Sequence, residues 1–78
     1  MKINRKRIPQ IGDKIIITDY ETFPGGNETA RIAKLPYLTI ESILPIPFIE
    51  KNGVEYVDYE VYVNETDYLI GIDWDFYE

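Results

Sequence analysis

Residues 38–64 read LTIESILPIPFIEKNGVEYVDYEVYVN, and the reading of this stretch decides the fold class. After Asn52-Gly53 the chain runs with period two. Val57, Tyr59, Val61 and Val63 fall on one side, and Tyr56, Asp58, Glu60 and Tyr62 on the other. Side chains alternate across a strand, so the pattern predicts a strand over 54–64 with the valines and Tyr59 inward. The run before Asn52 alternates too, and predicts a strand over 38–50. Ile40, Leu44, Ile46 and Phe48 share one face with Ser42, while Thr39, Glu41 and Ile43 take the other. An Asn-Gly pair between such flanks suits a type I′ hairpin, in which both central residues adopt positive φ. Pro45 and Pro47 lie two apart, so their missing N–H groups point to the same side. That places a corner or an unpaired edge there.

Working outward, Lys14-Ile15-Ile16-Ile17-Thr18-Asp19-Tyr20 is β-branched and follows a Gly12-Asp13 turn, which predicts the first strand. Residues 21–29, ETFPGGNET, read as a flexible loop. Ala30–Leu35 suggests one helical turn, too short to stand alone, closed by Pro36. Beyond the hairpin, a turn at Asn64–Asp67 leads to a strand around Tyr68–Ile72. The chain then closes on a terminal strand with Trp74 and Phe76 inward and Asp73 and Asp75 outward. These elements predict an all-β fold: a small, five-stranded, partly open barrel over 11–78, with a long first loop, preceded by a basic arm over 1–10. Curling a small sheet on itself protects its edges. Without disulfides, aromatic side chains must help to fill the core, and Tyr59, Phe48, Trp74 and Phe76 are placed there.

Composition narrows the function classes. A chain of 78 residues buries only ~60% of its unfolded surface, enough for one domain of slim stability margin. Hydrophobic residues at 45% and charged residues at 28% belong to a folded globular chain rather than a disordered one. With neither cysteine nor histidine, thiol and imidazole catalysis, zinc-finger ligand sets and disulfides are excluded. Apolar runs fall far short of the ~20 residues a membrane span needs. The basic start has no apolar stretch behind it of the kind a secretory signal carries. A cytoplasmic module follows as the expectation. The net charge of −6 is unevenly spread. Four bases (Lys2, Arg5, Lys6, Arg7) stand in residues 1–7, while 50–78 hold nine acids against Lys51 alone. An acidic body repels phosphates, so direct nucleic-acid binding is not expected, whereas a basic partner is attracted. The basic head reads either as a frayed terminus or as an arm docking on the acidic half of its own or a neighbouring chain.

Three stretches carry a resemblance. Ile11-Gly12-Asp13-Lys14-Ile15-Ile16-Ile17 resembles the G-D-x-V-x-V opening strand of small bacterial and phage SH3-like barrel proteins. Tyr37-Leu38-Thr39-Ile40 resembles the strand after their long first loop, and Trp74-Asp75-Phe76-Tyr77-Glu78 resembles their ending. Order and spacing agree over 11–78. The resemblance implies an SH3-like fold and an origin in a phage or mobile element, and it implies no particular activity. Pro36-Tyr37 stands where such chains often carry glycine before the Thr-Ile strand, and the hairpin at Asn52-Gly53 is longer than usual. Asp19-Tyr20-Glu21 looks like a segment of eukaryotic SH3 domains but stands at the wrong place in the chain, so no proline-peptide groove is implied.

Catalysis has little to work with. Ser42 is the only serine, and the lysines have no suggestive spacing for a base. Asp73 and Asp75, with Asp67 and Glu78 near, are expected to be the outward acids of a strand rather than a metal site. Pro24-Gly25-Gly26-Asn27 lacks the lysine of a phosphate loop. No enzyme activity, cofactor or metal is therefore expected. The outward stripe Tyr56, Asp58, Glu60 and Tyr62, with Tyr20 and Glu21 at the first loop, is the expected protein-binding surface, because tyrosine offers area at low entropy cost and carboxylates orient a basic partner. A rival reading takes Glu55, Asp58, Glu60, Glu65, Asp67, Asp73 and Asp75 as a track imitating nucleic acid, which would inhibit a DNA- or RNA-handling enzyme. Ile43–Ile49, apolar on both faces, reads either as a corner strand buried from both sides or as an exposed edge that pairs with another copy in a homodimer. A third functional reading is a structural subunit that acts through self-assembly alone.

Overall fold

In the computed structural model, which describes residues 7–20 and 26–78, the elements follow as β1 (Lys14–Ile17), α1 (Gly26–Ala33), β2 (Leu38–Ile49), β3 (Glu55–Val63), β4 (Thr66–Ile70) and β5 (Trp74–Phe76). The five strands form one antiparallel sheet in the order β4-β3-β2-β1-β5. The all-β expectation holds. The sheet curls without closing into a barrel: β4 and β5 are its outer strands and are not paired with each other.

Period two in β1 buries Ile15 and Ile17 and leaves Lys14 and Ile16 outward. These isoleucines meet Leu38, Ile40, Val61, Val63, Ile70 and Trp74 in one core, with Tyr59, Ile43 and Phe76 packed partly against it. Trp74 is 2% exposed and sets its ring edge-on to Phe76, centroids 5.2 Å apart. Its indole Nε1–H donates to the Tyr59 carbonyl at 2.8 Å. One outer strand thereby reaches across the curl to β3.

The helix is longer than the sequence suggests. It begins at Gly26, inside the stretch read as a loop, and the first five residues of that stretch lie outside the described residues. Eight residues are too few for a stable helix in isolation. Docking supplies the difference: Ile32 is 1% exposed and completes the core on the helix side. Arg31 donates to the Glu28 carboxylate within the helix at 2.6 Å and also to the carbonyl of Glu65, which ties the helix to the turn that precedes β4.

Three expectations around the hairpin need correction. The turn is not type I′. Gly53 has φ +85°, but no non-glycine residue among those described has positive φ, so Asn52 does not. The Glu50 carbonyl accepts from Gly53 N–H, and Glu50 N–H donates to the Val54 carbonyl, both at 2.9 Å. This is a three-residue loop, a turn followed by a left-handed glycine. Asn52 Oδ1 accepts from Val54 N–H at 3.0 Å and occupies the donor the loop leaves over. The loop sets the register at Glu55↔Ile49, Tyr56↔Phe48 and Asp58↔Ile46. A second irregularity at Glu41 shifts it by one before Ile40↔Val63. An extra residue exchanges the faces of everything beyond it. Ile43, not Leu44, therefore joins Ile40 on the core side, and Phe48 lies opposite Tyr56 on the other face rather than in the core. Val57, expected inward, is 38% exposed because the arm has by then run past the core.

Past the first residues of β2 and before the last residues of β3, the two strands have no third strand beside them among the described residues. β1 pairs with β2 only at Leu38 and Thr39, and β4 meets β3 only at Val61 and Val63. At about 3.3 Å per residue, the hairpin from Leu44 to its turn extends roughly 23 Å. The molecule is accordingly elongated, 41 × 24 × 20 Å. The turn before β4 is shorter than expected, Asn64–Glu65, because Thr66 already pairs with Val63. At the other end of the sheet, Arg7 folds back on the body, 2.9 Å from Asp13 Oδ2 and 4.0 Å above the Phe76 ring. The Arg7 hydrogen bond holds the Asp13 carboxyl below its ordinary range, against a smaller opposing effect of burial.

Candidate interaction surface

Directly opposed residues of an antiparallel pair project from the same face. The register therefore assembles a surface from two strands: Tyr62 beside Ser42, Glu60 beside Leu44, Asp58 beside Ile46, and Tyr56 beside Phe48. The four β3 residues picked from sequence do share this face. The structure adds an apolar row from β2, which sequence reasoning had turned inward. Phe48 and Tyr56 stack nearly parallel, 17° between planes and 5.2 Å between centroids. With Ile49, Glu50, Lys51 and Asn52 they line a shallow, open hollow of about 510 Å³ at the tip of the arm. Tyr62 and Leu44 are exposed, at 39% and 40%, while Tyr56, Ile46 and Phe48 are half-buried.

The arrangement offers rigid aromatic and aliphatic area bordered by carboxylates. Asp58 turns one oxygen to the backbone, accepting from Tyr59 N–H at 2.9 Å. Residues 44–60 hold four acids, Glu50, Glu55, Asp58 and Glu60, against the single Lys51, a local charge of −3. Such a surface favours a partner with basic and apolar groups interleaved.

The two remaining site candidates stand apart from this face. Tyr20 packs half-buried against the core, and burial pushes its phenol above the ordinary range. Glu21 lies outside the described residues. The acids of the nucleic-acid-like track are scattered. Glu55 projects from the face opposite Asp58 and Glu60, and the Glu65 carboxylate accepts from Thr39 N–H at 2.8 Å and Thr39 Oγ1 at 2.9 Å. The apolar stretch 43–49 is not buried from both sides: Leu44, Pro45, Pro47 and Ile49 are exposed, Ile49 at 72%. Among the described residues no helix is long and apolar enough to cross a membrane, and no group of three or more acidic side chains is placed to hold a metal ion.

Compared with known proteins, the chain matches no protein-family model, no curated protein and no solved structure.

Proposed function

We propose that this chain is a non-enzymatic protein-interaction module of SH3-like type, phage- or mobile-element-encoded and cytoplasmic, which acts by binding or occluding a protein partner. The observation that carries the reading is the β2–β3 arm, which runs past the core and presents Tyr56, Phe48, Ile46 and Tyr62 among acids on one face. Burying such groups only in self-contact wastes the apolar area that a small domain most needs inside. The strand order, which returns the last strand to the first, supports the SH3-like part of the reading.

The test is a pull-down from bacterial lysate with tagged protein, compared with the Tyr56→Ala/Tyr62→Ala double variant. Neither ring belongs to the core, so the variant is expected to keep its circular dichroism spectrum and to lose the captured partner. Capture is expected to survive a salt ramp, since apolar contacts are not screened. A folded variant that captures the same partner moves the site off this face. The nucleic-acid-mimic reading requires instead that capture collapse with salt and depend on Asp58 and Glu60 more than on the tyrosines.

A further inference from the structure

The arm has two free edges, and they are not equivalent. The bond from Glu50 N–H to the Val54 carbonyl makes 50 and 54 a hydrogen-bonded pair. Backbone direction alternates along a strand, so 48, 46 and 44 also turn their groups toward β3, and 45, 47 and 49 turn theirs away. Pro45 and Pro47 therefore face the outer edge of β2, where they delete the donors an incoming strand would need. On β3 the same alternation turns Glu55, Val57 and Tyr59 outward, toward the β4 side. Tyr59 is occupied there: its N–H by Asp58 Oδ1, its carbonyl by Trp74 Nε1. β4 reaches no further than Val61, so Glu55 and Val57, both exposed, present two N–H and two C=O groups with no strand beside them among the described residues.

From this asymmetry we infer that the β3 edge at Glu55–Val57 is a strand-addition site for an extended basic segment of a partner protein, deepening the docking role proposed above and resting on it. Backbone pairing supplies register, and alternate side chains supply selectivity. Along an added strand, residues on one face lie beside Glu55 and Val57 and those on the other beside Tyr56 and Asp58. Each face offers an acid and an apolar group, so the fitting sequence carries lysine or arginine together with apolar residues. The local charge of −3 disfavours a second copy of the arm as the occupant.

The probe is an acetylated, amidated heptapeptide of alternating lysine and valine, titrated into the ¹⁵N-labelled full chain. The Glu55 and Val57 amide resonances are expected to move, and their hydrogen exchange to slow by about tenfold or more. The same peptide with alternate backbone nitrogens methylated keeps its charge but cannot pair, and is expected to bind at least about tenfold more weakly. Val57→Pro removes an outward donor without touching the β2–β3 ladder and should weaken binding similarly. Should that variant fail to fold, the methylated peptide on the unaltered chain still decides. Equal binding of the methylated peptide, or no protection at Glu55 and Val57, overturns strand addition. Protection that rises with protein concentration in the absence of peptide overturns the partner in favour of a second copy. If the methylated peptide binds equally while Tyr56→Ala/Tyr62→Ala still abolishes partner capture, the docking face stands and the edge does not. The reverse pair of results keeps the edge and discards the face.

Discussion

Gly53 carries the largest consequence of any single residue in this chain, because its conformation sets the register of the whole arm. A side chain there meets no atom within 4 Å, so the φ of +85° is the only obstacle to substitution. Gly53→Ala should cost about 1–2 kcal/mol, the strain of an L-residue in the left-handed region. Asn52→Ala should cost less, since Asn52 has no positive φ to surrender and gives up only its bond to Val54 N–H. Urea unfolding of the two variants checks this, and a type I′ turn would make both substitutions strained. The dipeptide announced a turn plainly. It did not announce the loop length, and a two-residue loop would have set Phe48 opposite Val57 rather than Tyr56. That one-residue difference carries Leu44, Ile46 and Phe48 from the core side to the outer face. Counting the register back from a three-residue loop is the signal that would have found it.

Among the elements, α1 depends most on its surroundings. Glu28 accepts from Arg31 and from the Thr66 side chain, and these bonds, Arg31 foremost, lower its carboxyl from 4.5 to about 2. The Glu28 carboxylate in turn raises the Arg31 guanidinium above its ordinary value. Because the folded value of Glu28 lies below the unfolded one, the ionised form favours the native state. That contribution is complete above about pH 5 and is withdrawn as pH falls toward 2. Glu28→Gln should therefore be less stable than the parent chain near neutrality, and the two unfolding curves should converge as acid is added. Parallel curves across that range would remove Glu28 from the docking of α1. The pair Glu28 and Arg31 stands at helical spacing in the sequence. Its glycine- and proline-rich neighbours hid it, and only the pocket for Ile32 makes an eight-residue helix hold.

For the whole molecule, the decisive contact is Trp74 to Tyr59, because it joins the outer strand β5 to β3 where no backbone ladder does. Trp74→Phe keeps most of the aromatic volume but leaves the Tyr59 carbonyl without its donor. It should cost about 1–3 kcal/mol, measurable as a lowered thermal midpoint by circular dichroism. Trp74→Ala adds a cavity and should cost about 3–5 kcal/mol. A chain of this size holds only about 4–12 kcal/mol in all, so that loss removes much of its margin, and this variant is expected to melt well below both the parent chain and Trp74→Phe. A Trp74→Phe variant as stable as the parent would mean that core packing alone holds the curl.

What the residues determined unaided was the all-β class, the period-two strands, the tyrosine–acid face of β3 and the inward Trp74, since each follows from local alternation and turn chemistry. What only the tertiary structure decided was the register of β2 against β3, the growth of α1 and the failure of the sheet to close. Each depends on contacts between residues distant in the chain. A single extra residue at Gly53 or Glu41 exchanges faces without altering the local pattern. A short helix survives only if a core receives its isoleucine. The arm runs beyond the core because β1 and β4 stop short of it, and no stretch of sequence records where its neighbours end.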